Sequence, residues 1–416
     1  MPAAALYDGV EIGRTSVESK EGTETGALSG IRVLELANFM AGPFCGMLLA
    51  DMGAEVVKVE NPSVGDYTRT TPPFVNGESA GFLALNRNKK SVTLNLKAPE
   101  GRALFLELAA TADVILENFR PGTMTDLGID YEAVSTVRPD VIYASASGFG
   151  QTGPYSQRPG FDLILQGMSG IMSITGEPEG APVKVGVPIA DLTCALFGSY
   201  AILTAYIARQ KTGQGQRIDL SLFESAVALG VWETSGYFAT GEVPGRLGSA
   251  HRVSAPYQAF RTKDGYITLG ATTPNQWPRL CEAIGSPELE HDPRFATNAD
   301  RKANEQVLAG LIEEILVAEP SAHWLTLFEP HFPCGVLNTY DRVLTDPHLQ
   351  ARGFLLEMEH PKAGTVRSTG FVPKLSETPA RVYRPAPVLG QHNAEILGQL
   401  GRDAAAVEHL KAAGVI

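Results

Sequence analysis

Cysteine is scarce in this sequence: Cys45, Cys194, Cys281 and Cys334 lie far apart among 416 residues, with no pair at metal-ligand spacing. That excludes a small disulfide scaffold and points to a reducing, cytosolic setting. Positive charge is also short, with 34 Lys and Arg against 46 Asp and Glu and a net charge of −12. A nucleic-acid binder needs a basic face to displace counterions, and here the cations are outnumbered and scattered. No apolar run approaches the ~18 uninterrupted residues of a membrane span, and no basic patch with an apolar run opens the chain, so neither spanning nor secretion is expected. The eight histidines form no H-E-x-x-H and no His/Cys cluster, so no metal site is expected. Neither P-loop nor serine-hydrolase chemistry is expected. The first strand is followed by Ala37-Asn38-Phe39-Met40-Ala41-Gly42-Pro43 rather than G-x-G-x-x-G, which argues against a nicotinamide or flavin site.

What is present is a β-α alternation. Residues 1–27 are rich in Ser, Thr, Glu and Gly and predict a flexible tail. Strands are expected at 31–36, 54–60, 91–96, 113–116 and 141–145, with helices at 42–49, 99–110 and 131–137 between them. That order predicts an α/β fold with a Rossmann-like parallel sheet. A helix at 162–169, an apolar run at 183–190, a long helix at 192–209, a strand at 217–222 and a helix at 223–229 follow. Beyond about 240 the texture changes: a flexible loop at 245–250, a hairpin at 257–269 turning at Asp264-Gly265, then mostly helix to 328. The expected domains are the large one over 28–230, a smaller α+β one over 231–345, and a segment over 346–416 that returns to the first.

Three places carry candidate chemistry. Met40 and Ala41 stand at a helix start whose backbone N–H groups either meet an anionic or carbonyl group of a ligand or are simply capped. Asp191, between the apolar run and the long helix, is either an N-cap or a carboxylate nucleophile. Asp162 starts a helix or orients a partner group, and Glu177 reads as a solvated loop acid.

The stretches 32–36 with Ala41-Gly42-Pro43, 48–60, Glu117-Asn118-Phe119-Arg120-Pro121-Gly122, 147–154, Gly160-Phe161-Asp162, Ala190-Asp191, 212–216, Pro256-Tyr257, Gln276-Trp277 and 386–390 occur in one order. In them the chain resembles the class III coenzyme A transferases, with the α-methylacyl-CoA racemases as relatives, from residue 28 to the end. The resemblance implies a homodimer of two interlocked rings, which would account for a second domain inserted between segments of the first. It implies that Asp191 attacks an acyl-CoA, giving an aspartyl anhydride and then an aspartyl-CoA thioester that an acceptor carboxylate attacks. Coenzyme A is then a substrate, and no permanently bound cofactor is expected. Succinyl-CoA is a candidate donor and a small carboxylic acid the acceptor.

The same resemblance assigns Met40 and Ala41 to the pantetheine, Leu94 to Lys97 to the adenine, and Asn118, Phe119 and Arg120 to the phosphates. Some members of the family carry Arg where this chain has Asn61 and Asp126; Arg69, Arg87, Lys89 and Lys90 are either substitutes for it or solvated surface. The loop with Gly245 and Gly248 corresponds to a glycine-rich lid that keeps water from the anhydride. His251 and Arg252 beyond it are either contacts for the acceptor carboxylate or ordinary loop residues. The rival readings are an acyl-CoA racemase or epimerase and a non-catalytic CoA-binding homologue. The racemases use a His where Phe161 stands here, and a phenyl ring moves no proton.

Overall fold

Strands buried on both faces of a parallel sheet favour continuous apolar sequence; VILE comes closest, while RVLEL and EVVKVE supply Val and Leu with charged residues among them. A computed structural model describes residues 26–416, so the tail expected at 1–27 lies, but for its last two residues, outside the described residues. The strands β1 (Arg32–Leu36), β2 (Glu55–Glu60), β3 (Lys89–Thr93), β4 (Val114–Glu117), β5 (Ile142–Ser147) and β6 (Gln216–Ser221) form one sheet in the order β3-β2-β1-β4-β5-β6. Every neighbouring pair is parallel. The helices between them are α1 (Ala41–Asp51), α2 (Pro99–Ala109), α3 (Tyr131–Val137), α4 (Asp162–Met168) and α5 (Ile189–Thr212), with α6 (Leu222–Leu229) after β6.

The period of two along each strand sorts the core into two layers. Leu34, Val57 and Ile115 face Phe105 and Leu108 of α2 together with Ile396 and Leu410 from the end of the chain. Val33, Val56, Val114 and Ile142 face Cys45 and Leu49 of α1 and Ala195 and Ile202 of α5. Each such side chain taken fully from water contributes about 1.5–3 kcal/mol. Proline opens α2 at its first position, and Gly213, at φ +72°, ends α5 in the left-handed conformation. Among the described residues α5 alone is long and apolar enough to cross a membrane by length and composition; it packs on α1, β5 and β6.

The chain divides into two compact units: one of residues 26–171, 185–234 and 347–416, and one of residues 172–184 and 235–346. The second unit thus takes in 172–184, which the sequence placed in the large domain. It holds the hairpin strands β7 (Tyr257–Arg261) and β8 (Tyr266–Gly270), paired antiparallel with β9 (Cys334–Val336) added, over a core of Phe260, Leu269, Trp277, Leu280, Phe295, Ile312, Trp324 and Phe328. α7 (Val231–Thr240) spans the boundary. The apolar run at 183–190 is not a strand: it is irregular to Pro188, and α5 begins at Ile189, three residues before the start the sequence suggests. Its alternation of Val with Lys, Gly and Pro mimics a strand without a neighbour to pair with.

Candidate active site

In a sheet ordered 3-2-1-4-5-6 the chain leaves β1 and β4 in opposite directions, and the crevice beyond their carboxyl ends is where ligands bind. Leu36 and Glu117 are paired at that crevice. From β1 the chain runs through 37–40 into α1, for which Met40 is the N-cap and Ala41 the first residue. From β4 it runs into Asn118, Phe119 and Arg120. Ala41 shares an apolar cluster with Ala146, Leu165, Ala190 and Cys194, so the starts of α1 and α5 meet.

Asp191 is not the N-cap of α5. Pro188 holds that place and has no side chain to cap with, and Asp191 is the third residue of the helix. The missing cap comes from α4: Asp162 Oδ1 accepts the Ala190 N–H at 2.9 Å. Its other oxygen takes a hydrogen from Gln166 Nε2 at 2.6 Å, and Gln166 Oε1 accepts the Val185 N–H at 2.9 Å. Asp162 thereby both opens α4 and caps α5, and the carboxylate of Asp191 is not needed as the cap. Burial first, and the charge of Asp162 second, push the Asp191 carboxyl up to about 7. Cys194, one turn further on, is no rival nucleophile, because burial pushes its thiol up to about 12.

The CoA candidates fare unequally. Asn118 does not reach outward: its Oδ1 accepts the Asn38 N–H at 2.8 Å and its Nδ2 donates to the Asn38 carbonyl at 2.8 Å. The Leu94 side chain is fully buried in the core, so Leu94 can offer a ligand only its backbone, while Leu96 packs on the same core. Phe119 is half-buried against that core, and its N–H goes to Glu117 Oε2 at 2.8 Å. Lys97 and Arg120 stand exposed beyond β3 and β4. The four substitute cations are engaged inside the protein: Arg69 with Glu60 at 2.7 Å, Arg87 with Asp51 at 2.6 Å, Lys89 with Glu35 at 2.7 Å, and Lys90 with Glu55 and Glu395 at 2.7 and 2.6 Å. None of them is a freely solvated surface cation, because each is paired with a carboxylate.

Within the second unit, Gly248, at φ +60°, donates its N–H to the Gly176 carbonyl at 2.9 Å, and Arg246 binds the carbonyls of Glu177, Pro178 and Gly180 at 3.0, 3.1 and 2.7 Å. Arg252 donates to the Gly245 carbonyl at 3.1 Å, and His251 stacks on Tyr257 with centroids 4.9 Å apart. Glu177 is exposed and gives the loop its backbone carbonyl.

Two motif strings are present whose surroundings remove their usual meaning. Gly77-Glu78-Ser79-Ala80-Gly81 spells G-x-S-x-G, but Ser79 is buried, donates to the Thr71 carbonyl at 2.6 Å and caps the helix Ala80–Leu85. Gly148-Phe149-Gly150-Gln151-Thr152-Gly153 spells G-x-G-x-x-G after β5, yet it turns into irregular chain and no helix opens on it. Sequence reasoning gave no role to Gln166, legible only as the residue four beyond Asp162 on one helix face, or to Glu117. Burial pushes the Glu117 carboxyl up to about 7, with the charge of Asp219 adding to it.

An α/β sheet with its switch point beside a half-buried carboxylate in a helix's first turn defines an enzyme scaffold that can offer a nucleophile and backbone donors together. The chain belongs to CoA-transferase family III, whose model matches residues 28–393. It is 41% identical over 392 residues to the succinyl-CoA:glutarate CoA-transferase of Mus musculus, covering 94% of this chain and 90% of that one. It is 40% identical over 374 residues to the acetyl-CoA:oxalate CoA-transferase of Acetobacter aceti, covering 89% and 95%. Among solved structures, a CAIB/BAIF family protein from Brucella suis superposes with a TM-score of 0.83 at 39% identity, over 90% of this chain and 100% of that one.

Proposed function

We propose that this protein moves CoA from an acyl-CoA donor to a carboxylic acid, with Asp191 as the covalent nucleophile. The observation that carries this is the Asp191 carboxylate, half-buried in the first turn of α5 with its cap supplied by Asp162, beside the start of α1. Asp191 attacks the thioester carbon, the C–S bond breaks and CoA leaves as the thiolate. The thiolate then attacks the Asp191 carbonyl of the anhydride, releasing the donor acid and leaving an aspartyl-CoA thioester. The acceptor carboxylate attacks that thioester, CoA leaves again and returns to the acceptor's acyl carbon, and Asp191 is regenerated. The N–H groups of a helix's first turn have no intrahelical partner and favour the oxyanion of each addition.

The names of the relatives support succinyl-CoA as donor and a small dicarboxylic acid as acceptor. On this reading Met40, Ala41, Phe119, Arg120 and Lys97 meet CoA, while Gly245 and Gly248 belong to a lid over the anhydride and His251 and Arg252 meet the acceptor acid, these four on the family resemblance alone. A racemase finds no base at Phe161, an exposed phenyl ring. The working unit is a homodimer, supported by the apolar residues that stand exposed on the first unit; interlocked rings are what the resemblance adds.

The test is to trap the intermediate. Acyl-CoA followed by hydroxylamine should modify Asp191, and modification at another carboxylate would overturn the assignment. Asp191→Ala should fold, bind CoA and lose transfer roughly 10³-fold or more.

A further inference from the structure

Four charged side chains, Glu35 on β1, Lys58 on β2, Lys89 on β3 and Asp66 in the loop after β2, are wholly shut off from solvent in the first unit. Lys58 Nζ lies 2.8 Å from Glu35 Oε1 and 2.9 Å from Asp66 Oδ2, and Lys89 Nζ lies 2.7 Å from Glu35 Oε2. Charges pair to neutrality, but a buried ion pair stabilises little over apolar packing, so stability alone is a weak reason for two of them.

Lys89 also donates to Asn86 Oδ1 at 2.9 Å and Asp66 Oδ1 also accepts the Thr68 N–H at 2.9 Å, but the other contacts of the group converge on one stretch of backbone. Lys58 donates to the Ala37 carbonyl at 2.7 Å and Lys89 to the Pro43 carbonyl at 2.7 Å. Asp66 Oδ1 accepts the Phe39 N–H at 3.2 Å. These grips bracket Met40 and Ala41, while Asn118 holds Asn38 between them. Phe39 needs holding: it sits at φ +63°, a left-handed conformation that a bulky residue keeps only when its surroundings impose it. Glu60 steadies Asp66 in turn, accepting its N–H at 2.9 Å.

We propose that Glu35, Lys58, Asp66 and Lys89 are positioning residues that set the 37–43 turn for acyl-CoA binding and touch no reacting atom. The proposal rests on the reading that Met40 and Ala41 meet CoA. Its role is separate from charge balance, and two charge-neutral double variants separate them. Lys58→Met with Asp66→Asn keeps an acceptor for the Phe39 N–H and loses the hold on Ala37. Lys58→Met with Asp66→Ala loses both.

The expected result is a KM for acyl-CoA raised in the first pair and raised further in the second, by roughly tenfold or more over the unmodified protein, the factor carried by one charged hydrogen bond. The KM for the acceptor acid and kcat should change by less than about threefold, as for lost ground-state binding. A wild-type KM for acyl-CoA in both folded pairs, or equal values in the two, overturns the proposal. Amide hydrogen exchange on the unmodified protein needs no variant: Phe39 should exchange as slowly as the strand amides, and loop-like exchange there overturns it too. Calorimetry with CoA separates the two failures. An unmodified protein that does not bind CoA removes the reading beneath; one that binds, with variants binding as tightly, removes only the positioning role.

Discussion

In the proposed mechanism Asp191 attacks only as the carboxylate, and its surroundings oppose one another. Burial and the Asp162 charge raise it to about 7, while the start of α5 favours an anion. The kcat/KM for acyl-CoA reports the free enzyme, so it should fall about tenfold per unit below pH ~7 and level off above. Asp162→Asn keeps an acceptor for the Ala190 N–H and removes the like charge, so the acid limb should move to lower pH; a limb that stays would take Asp162 out of the electrostatics. Stability has its own sign. A carboxyl raised in the folded state contributes stability that is fully present below its unfolded value near 3.8 and lost as pH rises through about 7. Asp191→Asn should therefore melt above the unmodified protein at pH 8, by on the order of 2 kcal/mol, with the difference closing toward pH 4. Equal melting curves at pH 8 would mean that the carboxylate is better solvated than its burial implies.

Helix α1 lies so close to β1 that Gly46 faces Glu35 with no room for a Cβ. Glu35 cannot yield, because Lys58 and Lys89 hold both its oxygens. Gly46→Ala is expected to destabilise by about 3 kcal/mol, read from the urea midpoint, through overpacking onto a pinned buried charge. Gly77→Ala, which meets no atom but sits at φ +86°, should cost only backbone strain. The sheet was legible in the sequence because its inner strands carry Val, Leu and Ile between turns and helix ends, whereas the edge strands KKSVT and QRIDLS are mostly polar and only the β-α alternation points to them. The charged quartet has a signal in the sequence: Glu35 and Lys58 stand among the apolar residues in the interior of β1 and β2, and a charge inside a doubly buried strand needs a partner. The capping of α5 had no local signal. Asp162 and Ala190 lie 28 residues apart, and only the packing of α4 on α5 brings them together. The start of α5 was misplaced for the same reason, since its cap is not in its own sequence.

At the scale of the whole molecule, a net charge of −12 makes copies of this chain repel one another, so any association must come from apolar burial. The first unit offers the surface. Leu196, Tyr200 and Ile207 recur at i, i+4 and i+11 on α5, which places them on one stripe, and are 54%, 69% and 57% exposed. Phe161 and Leu163 by α4 and Val231 on α7 stand out from the same unit at 68%, 51% and 71%. A monomer rarely leaves so many large apolar side chains in water without a use. Sedimentation at micromolar concentration should give the mass of two chains. Raising salt from about 0.05 to 0.5 M should leave the dimer intact or tighten it, since salt screens the repulsion and does nothing to the apolar contact. Leu196→Asp with Tyr200→Asp puts two more charges on the stripe and should lower the mass to that of one chain. A two-chain mass that survives both substitutions would place the interface elsewhere, and a dimer that dissociates with salt would mean that ion pairs across the interface hold it together.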